Sequence, residues 1–146
     1  MRENKDSYYL KIAEAVLARS TCLRRKYGAV IVRDDEIIST GYNGASRGEP
    51  NCIDIGYCYR EQQKIPHGER YDFCASVHAE ANAIISASRR DMLGSTLYLA
   101  GREADGTPIA DTAPCGMCKK LILNAGIRTV VTRHPDGAIV KEEVRA

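Results

Sequence analysis

Val77-His78-Ala79-Glu80-Ala81-Asn82-Ala83-Ile84-Ile85-Ser86-Ala87 and, further on, Pro114-Cys115-Gly116-Met117-Cys118 decide how this chain is read. The first stretch is rich in helix formers, and Val77, Ala81, Ile84 and Ile85 recur at the spacing of one buried helical face. It predicts a helix with His78 and Glu80 in its first turn. Pro114 reads as the start of a second helix, because proline suits the first helical position, where its missing N–H costs nothing. The run from Gly116 to Asn124 then meets Ala125-Gly126, a helix stop. Both cysteines therefore fall at a helix N-terminus, where the dipole and free N–H groups favour thiolate. Two helix N-termini facing one another would gather His78, Glu80, Cys115 and Cys118.

The residue types suit metal chemistry. His78, Cys115 and Cys118 offer zinc one nitrogen and two thiolates and leave the fourth tetrahedral position open for water, as a catalytic zinc requires. Glu80, beside the metal but not bound to it, would carry protons. An H-x-E followed by P-C-x-x-C is the known signature of zinc-dependent nucleobase deaminases. Either half alone is weak, since Cys-x-x-Cys also forms redox pairs and His-x-Glu also occurs on plain helix surfaces. A thioredoxin-like pair belongs just after the first strand of a βαβ unit, whereas Cys115 and Cys118 come late. In this order, with each half opening a predicted helix, the two together favour a deaminase.

A chain of 146 residues suits one domain, here read as 1–146. Its 44% hydrophobic and 27% charged residues are ordinary for a soluble globular protein. No apolar run approaches membrane-spanning length and no signal-peptide pattern follows Met1-Arg2-Glu3, so a cytoplasmic location without a membrane partner is expected. The net charge is only +2. Arg24-Arg25, Arg89-Arg90 and Lys119-Lys120 are scattered and read as solvated surface. A nucleic-acid substrate would call for a broader basic stripe. Six cysteines in a cytosolic chain suggest metal more than disulfides. Cys22, Cys52, Cys58 and Cys74, in loop-rich sequence, could hold a closed structural zinc with His67 as a substitute ligand. The alternative is four small buried hydrophobes.

Along the chain, Tyr8 to Arg19 predicts an amphipathic helix with Tyr8, Ile12, Ala15, Val16 and Arg19 on one side and Asp6 or Ser7 as its cap. Ala29–Val32 and Glu36–Thr40 predict a hairpin across Arg33-Asp34-Asp35. Gly41 to Cys74 has no sustained period and is too long for an idle connection, which points to a functional or metal-bound segment. Strands are predicted at Thr96–Ala100 and Arg128–Thr132, with a small excursion at Arg102–Asp111 around Asp105-Gly106. The order α-β-β-α-β-α-β indicates an α/β domain with helices packed on a mixed sheet.

From about Tyr8 to Thr132 the chain resembles a deoxycytidylate (dCMP) deaminase of the cytidine deaminase superfamily. The resemblance rests on the two metal motifs together with Gly41-Tyr42-Asn43-Gly44, Thr96-Leu97-Tyr98 and Asn124-Ala125-Gly126-Ile127. It implies a three-layer cytidine-deaminase-like fold, with a central mixed sheet and helices on both faces. It also implies a catalytic Zn2+ on His78, Cys115 and Cys118, with Glu80 as proton shuttle in the hydrolysis of dCMP to dUMP and ammonia. Asn43 would contact the nucleotide, in a loop whose glycines let backbone approach an anion. Arg89 stands where family members carry an active-site arginine suited to phosphate, although a solvated helix end reads equally well. Cys22 and Cys52 occupy places that some members use for a second, structural zinc, with Cys74 next and Cys58 or His67 completing the set. The family further suggests a homo-oligomer, often a hexamer, activated by dCTP and inhibited by dTTP. Two segments, 57–71 and 102–111, depart from the family pattern near the expected pocket. They leave open another cytosine-type nucleotide or nucleoside, or a tRNA adenosine substrate. A non-catalytic zinc nucleotide sensor is the reading from outside enzymes, and Glu80 beside a three-ligand site argues against it.

Overall fold

The computed structural model describes residues 2–66 and 74–144; His67, the substitute ligand named above, lies outside them. The hairpin forms as predicted. Strands β1 (Arg25–Arg33) and β2 (Glu36–Tyr42) pair antiparallel across Asp34 and Asp35, both at positive φ. That backbone matches the two-residue turns whose twist suits a hairpin. Strand β3 (Gly44–Ala45) and helices α2 (Cys52–Ile55) and α3 (Tyr59–Gln62) follow, and strand β4 (Ser76–Val77) pairs with β3. Strand β5 (Thr96–Glu103) lies antiparallel to β1, β6 (Thr129–Arg133) parallel to β5, and β7 (Ile139–Glu143) antiparallel to β6. The sheet order is β2-β1-β5-β6-β7.

Helix α1 (Lys5–Leu17) covers one face of the sheet, while α4 (Ala79–Ile85), α5 (Arg89–Met92) and α6 (Gly116–Ala125) cover the other. This is the mixed three-layer arrangement expected. Strand β1 is buried on both faces: Val30 and Val32 meet Tyr9, Leu10 and Ala13, and Ala29 and Ile31 meet Ala83, Leu97 and Ile122. Each fully buried aliphatic side chain of this kind contributes about 1.5–3 kcal/mol.

Two helix faces differ from expectation. In α1 the buried residues are Tyr9, Leu10, Ala13 and Leu17, with Tyr8 exposed. Tyr9 takes the inner side because its ring packs on Tyr98 and its hydroxyl donates to Asp35. The cap is Asn4, whose Oδ1 accepts the Ser7 N–H at 2.8 Å, because the helix starts earlier than Tyr8. In α4 the inner residues are Ala79, Glu80 and Ala83, while Ile85 is exposed. The helix lies so close to β2 that a Cβ on Gly41 would sit 2.5 Å from the Ala79 carbonyl oxygen, so alanine, not isoleucine, fits the interface. The 102–111 excursion is a tight turn: Glu103 N–H donates to the Thr107 carbonyl at 2.9 Å, and Arg102 bridges to Pro108. Among the described residues no helix is long and apolar enough to cross a membrane.

Candidate active site

β4 stops at Val77, and His78 follows in an extended conformation as the N-cap of α4, making no capping bond with its side chain. Its imidazole faces the start of α6. There Cys115 is the N-cap, with Pro114 one position outside the helix and not at its first residue, and Cys115 Sγ accepts the Cys118 N–H at 3.4 Å. Cys115 Sγ lies 3.5 Å and Cys118 Sγ 3.4 Å from His78 Nδ1. Ligand atoms about 2.0 Å (N) and 2.3 Å (S) from a tetrahedral zinc stand about 3.5 Å apart. The trio is therefore spaced for that ion. Among the described residues it is the group of three whose ligand atoms all lie within 4.8 Å of one another.

The electrostatics fit as well. Burial, helped by the Arg60 guanidinium, holds the His78 imidazole below its ordinary pKa, which favours the neutral ring that a metal binds. Burial, followed by Glu80 and Cys115, pushes the Cys118 thiol far up. A thiolate at that depth needs a cation beside it. Glu80, two residues after the ligand, is 4% exposed. Burial raises its pKa, partly offset by its own backbone N–H and by a hydrogen bond with Cys118. A carboxyl held above its ordinary pKa keeps a proton more readily than a solvated one, as a group that must both take and return a proton requires.

A cavity of about 270 Å³ opens beside the trio, lined by His78, Glu80 and Cys115. Cys22, Cys52, Cys58 and Cys74 share its wall. The Cys52 thiol is pushed up by burial first, then by its neighbours Cys22, Cys74 and Cys58. Backbone N–H groups already point at two of the sulfurs, from Arg24 to Cys22 and from Ser76 to Cys74, each at 3.4 Å. They do not close to the spacing of the His78 trio.

Asn43 lines the cavity, but its amide is engaged with the protein backbone. Arg89 is not brought to the cavity. It is exposed on α5, and its Nε donates to the Asn124 carbonyl at 2.9 Å, closing the end of α6. Sequence reasoning passed over Arg24, Arg25, Arg60 and Asp111, all in the cavity wall. The signal available was the basic pair two residues beyond Cys22, which reads as surface. Asp111 arrives because the turn at Asp105-Gly106 folds back through the buried Ile109.

Residues 3–134 match the family described as the cytidine and deoxycytidylate deaminase zinc-binding region. The deoxycytidylate deaminase of Mycobacterium phage D29 is 40% identical over 135 residues, covering 89% of this chain and 94% of that protein. That of Schizosaccharomyces pombe is 37% identical over 130 residues, which is 89% of this chain and 37% of the yeast protein. Among solved structures, dCMP deaminase from the cyanophage S-TIM5 in apo form aligns with a TM-score of 0.63 and 26% identity, over 92% of this chain and 86% of that one. The same enzyme in complex with dCMP and dUMP gives a TM-score of 0.62 at 26% identity, covering 92% and 84%. Matched along most of its length in sequence and in fold, the chain belongs to the zinc-dependent cytidine and deoxycytidylate deaminase family.

Proposed function

We propose that residues 1–146 act as one zinc-dependent deaminase domain that hydrolyses dCMP to dUMP and ammonia. The observation that carries this reading is the buried Glu80 in the first turn of the helix that presents His78 to Cys115 and Cys118. His78 Nδ1 and the two Sγ atoms would hold zinc. When bound, zinc supplies a Lewis acid that makes water nucleophilic near neutral pH. Glu80 takes a proton from the attacking water and passes it to ring N3. The second proton of that water, now on the hydroxyl at C4, then goes through the same carboxyl to the 4-amino group; the C4–N bond breaks, ammonia leaves and the C4 carbonyl forms. The raised pKa of Glu80 suits both transfers. The test is ammonia release from dCMP, dCTP, deoxycytidine, cytosine and tRNA, each supplied separately. Turnover of dCMP alone supports the reading. Turnover of another of these assigns the alternative substrate, and nucleotide binding without ammonia release would make the protein a sensor.

Cys22, Cys52, Cys58 and Cys74 are proposed to hold a second, structural zinc, supported by their convergence on one wall and by the N–H groups directed at Cys22 and Cys74. Metal analysis should find two zinc ions per chain, falling to one in Cys52→Ser with the His78 site still filled; one zinc in both proteins would end the idea. A homo-oligomer belongs to the same proposal, supported by Met117 and Leu121, exposed one turn apart on α6; a response to dCTP and dTTP is carried by the family resemblance alone. Six unpaired thiols suit a reducing compartment such as the cytoplasm.

A further inference from the structure

A second cavity, of about 410 Å³, opens at the carboxyl ends of the parallel strands β5 and β6, walled by Gly101 and Arg102 from one and Arg133 from the other. Crevices at this end of parallel strands are where α/β domains commonly take ligands. Its third wall is α1, on the face of the sheet away from the metal trio, and it shares no wall residue with the active cavity. We propose that this second cavity binds a small organic monoanion, a carboxylate on an apolar body, with Arg133 meeting the charge.

The floor is apolar. Leu10, Leu99, Ala100 and Ile109 line it, all buried, and none carries a polar side-chain atom. It therefore suits hydrocarbon and offers nothing to the edge of a nucleobase. The charges stand around the rim. Lys11 Nζ lies 3.0 Å from Glu3 Oε2, and Arg102 grips Glu14 at two points, Nε to Oε2 at 3.1 Å and Nη2 to Oε1 at 3.2 Å. Both of those cations are answered by carboxylates. Arg133 differs. Its Nη1 donates to the Gly137 carbonyl at 2.8 Å and its Nη2 to the Ser7 hydroxyl at 3.1 Å, and both partners are uncharged. These two bonds aim the guanidinium and leave it most of its five N–H donors and its whole charge. Three cations thus face two carboxylates, so a monoanion balances the wall, whereas a dianion overfills it. A carboxylate also matches the planar fork of an arginine, two oxygens to two N–H groups.

The cavity belongs to this chain in particular, because the turn that departs from the family pattern builds part of it. Arg102, Pro108 and Ile109 of that turn line the second cavity, while Asp111 lines the active one and Glu103 holds Arg25 there at 2.9 Å. A Cβ added to Gly101 would meet the Tyr27 ring at 2.8 Å and Ile109 Cδ1 at 3.0 Å. Tyr27 lines the active cavity and Ile109 the second. A carboxylate seated on Arg133 therefore lies one layer of side chains from the active cavity without entering it.

Calorimetry on the zinc-loaded protein tests this with hexanoate and benzoate as probes, and with hexan-1-ol and inorganic phosphate as controls. At least one of the two carboxylates should bind with a Kd of about 0.1–1 mM, the range open to ligands of this size. Hexan-1-ol, which lacks the charge, and phosphate, which lacks the apolar body, should each bind at least about tenfold more weakly. Arg133→Gln should lower carboxylate affinity about tenfold or more, and Arg133→Lys should recover part of it. Ser7→Leu fills the cavity from α1 with a good helix former and should abolish binding. Ammonia release from dCMP and Tm should stay at wild-type values in all three variants. No binding of either carboxylate would overturn the assignment, as would hexan-1-ol or phosphate binding as tightly. Equal affinity in wild type, Arg133→Gln and Ser7→Leu would place the carboxylate elsewhere, at the metal site for example, and would overturn it too. Each of these failures leaves dCMP turnover by the same proteins, and so the proposed reaction, untouched.

Discussion

Replacing Gly41 by alanine tests whether the close seat of α4 on β2 sets the catalytic geometry. The added Cβ would stand 2.5 Å from the Ala79 carbonyl oxygen and closer still to the Ala83 nitrogen. These are backbone atoms of the helix that begins at His78 and carries Glu80, so no side chain can swing aside. Ordinary contact begins at 3.4 Å, which requires the helix to retreat by about 1 Å from its closest approach at 2.4 Å. Overpacking of this kind costs about 1–3 kcal/mol. A displacement near 1 Å in a catalytic group costs up to about a hundredfold in rate. The urea midpoint of Gly41→Ala should therefore fall, with kcat on dCMP down about 10- to 100-fold and zinc still bound. Gly116→Ala is the control: its Cβ meets nothing within 4 Å, and it should be neutral or stabilising by about 0.4–1 kcal/mol. A Gly41→Ala protein with wild-type midpoint and kcat would refute the backbone-to-backbone seating.

Three other outcomes follow from the site and the core. Glu80→Gln should cut kcat by about 10²–10⁴-fold and yet stabilise the metal-free protein. Burial raises the folded-state pKa above its ordinary 4.5, so the folded form binds the proton more tightly and stability falls as pH rises from 4.5 through the raised value. Gln removes that fall, which amounts to about 1.4 kcal/mol for every tenfold gain in proton affinity on folding, and equal Tm slopes for the two proteins between about pH 4 and 8 would contradict it. Zinc binding to the metal-free chain should release protons, the Cys118 thiol being one source, so affinity rises with pH; calorimetry in buffers of different ionisation heat would count them, and a count of zero refutes the coupling. Tyr9→Phe should lower Tm at pH 7, because the Tyr9 hydroxyl, followed by Lys5, holds the Asp35 carboxyl below its ordinary pKa. The difference should vanish as pH falls through that depressed value, and a difference that persists in acid would place the effect in packing.

The metal trio was legible because its chemistry demands particular residue types at short spacings, and because each half opens a helix. The hairpin and the stop at Gly126 were legible from local backbone preference, confirmed by the positive φ of Asp34, Asp35 and Gly126. The inner face of α4 was not, because periodicity assumes that large apolar residues seek the core, whereas the part of the helix that rests on Gly41 presents Ala79 and Ala83. Strand β7 was missed because Lys141, Glu142 and Glu143 are exposed at a sheet edge, where alternation carries no signal. Arg24-Arg25 and Arg89-Arg90 look alike in sequence. Only the fold, through Asn43 on one side and the end of α6 on the other, separates a cavity wall from a helix cap.

The parallel pairing of β5 with β6 has a kinetic side. A parallel pair needs a long crossover, and here α6 supplies it. Cys115 and Cys118 sit inside that crossover, 37 and 40 residues from His78. The hairpins β1–β2 and β6–β7 close over short turns and can form early, whereas the ligand set is complete only once the crossover has docked. Zinc therefore joins after the slow topological step. It should leave the folding rate nearly unchanged and slow unfolding, so that the same ion that arms the enzyme also sets how long the folded chain survives.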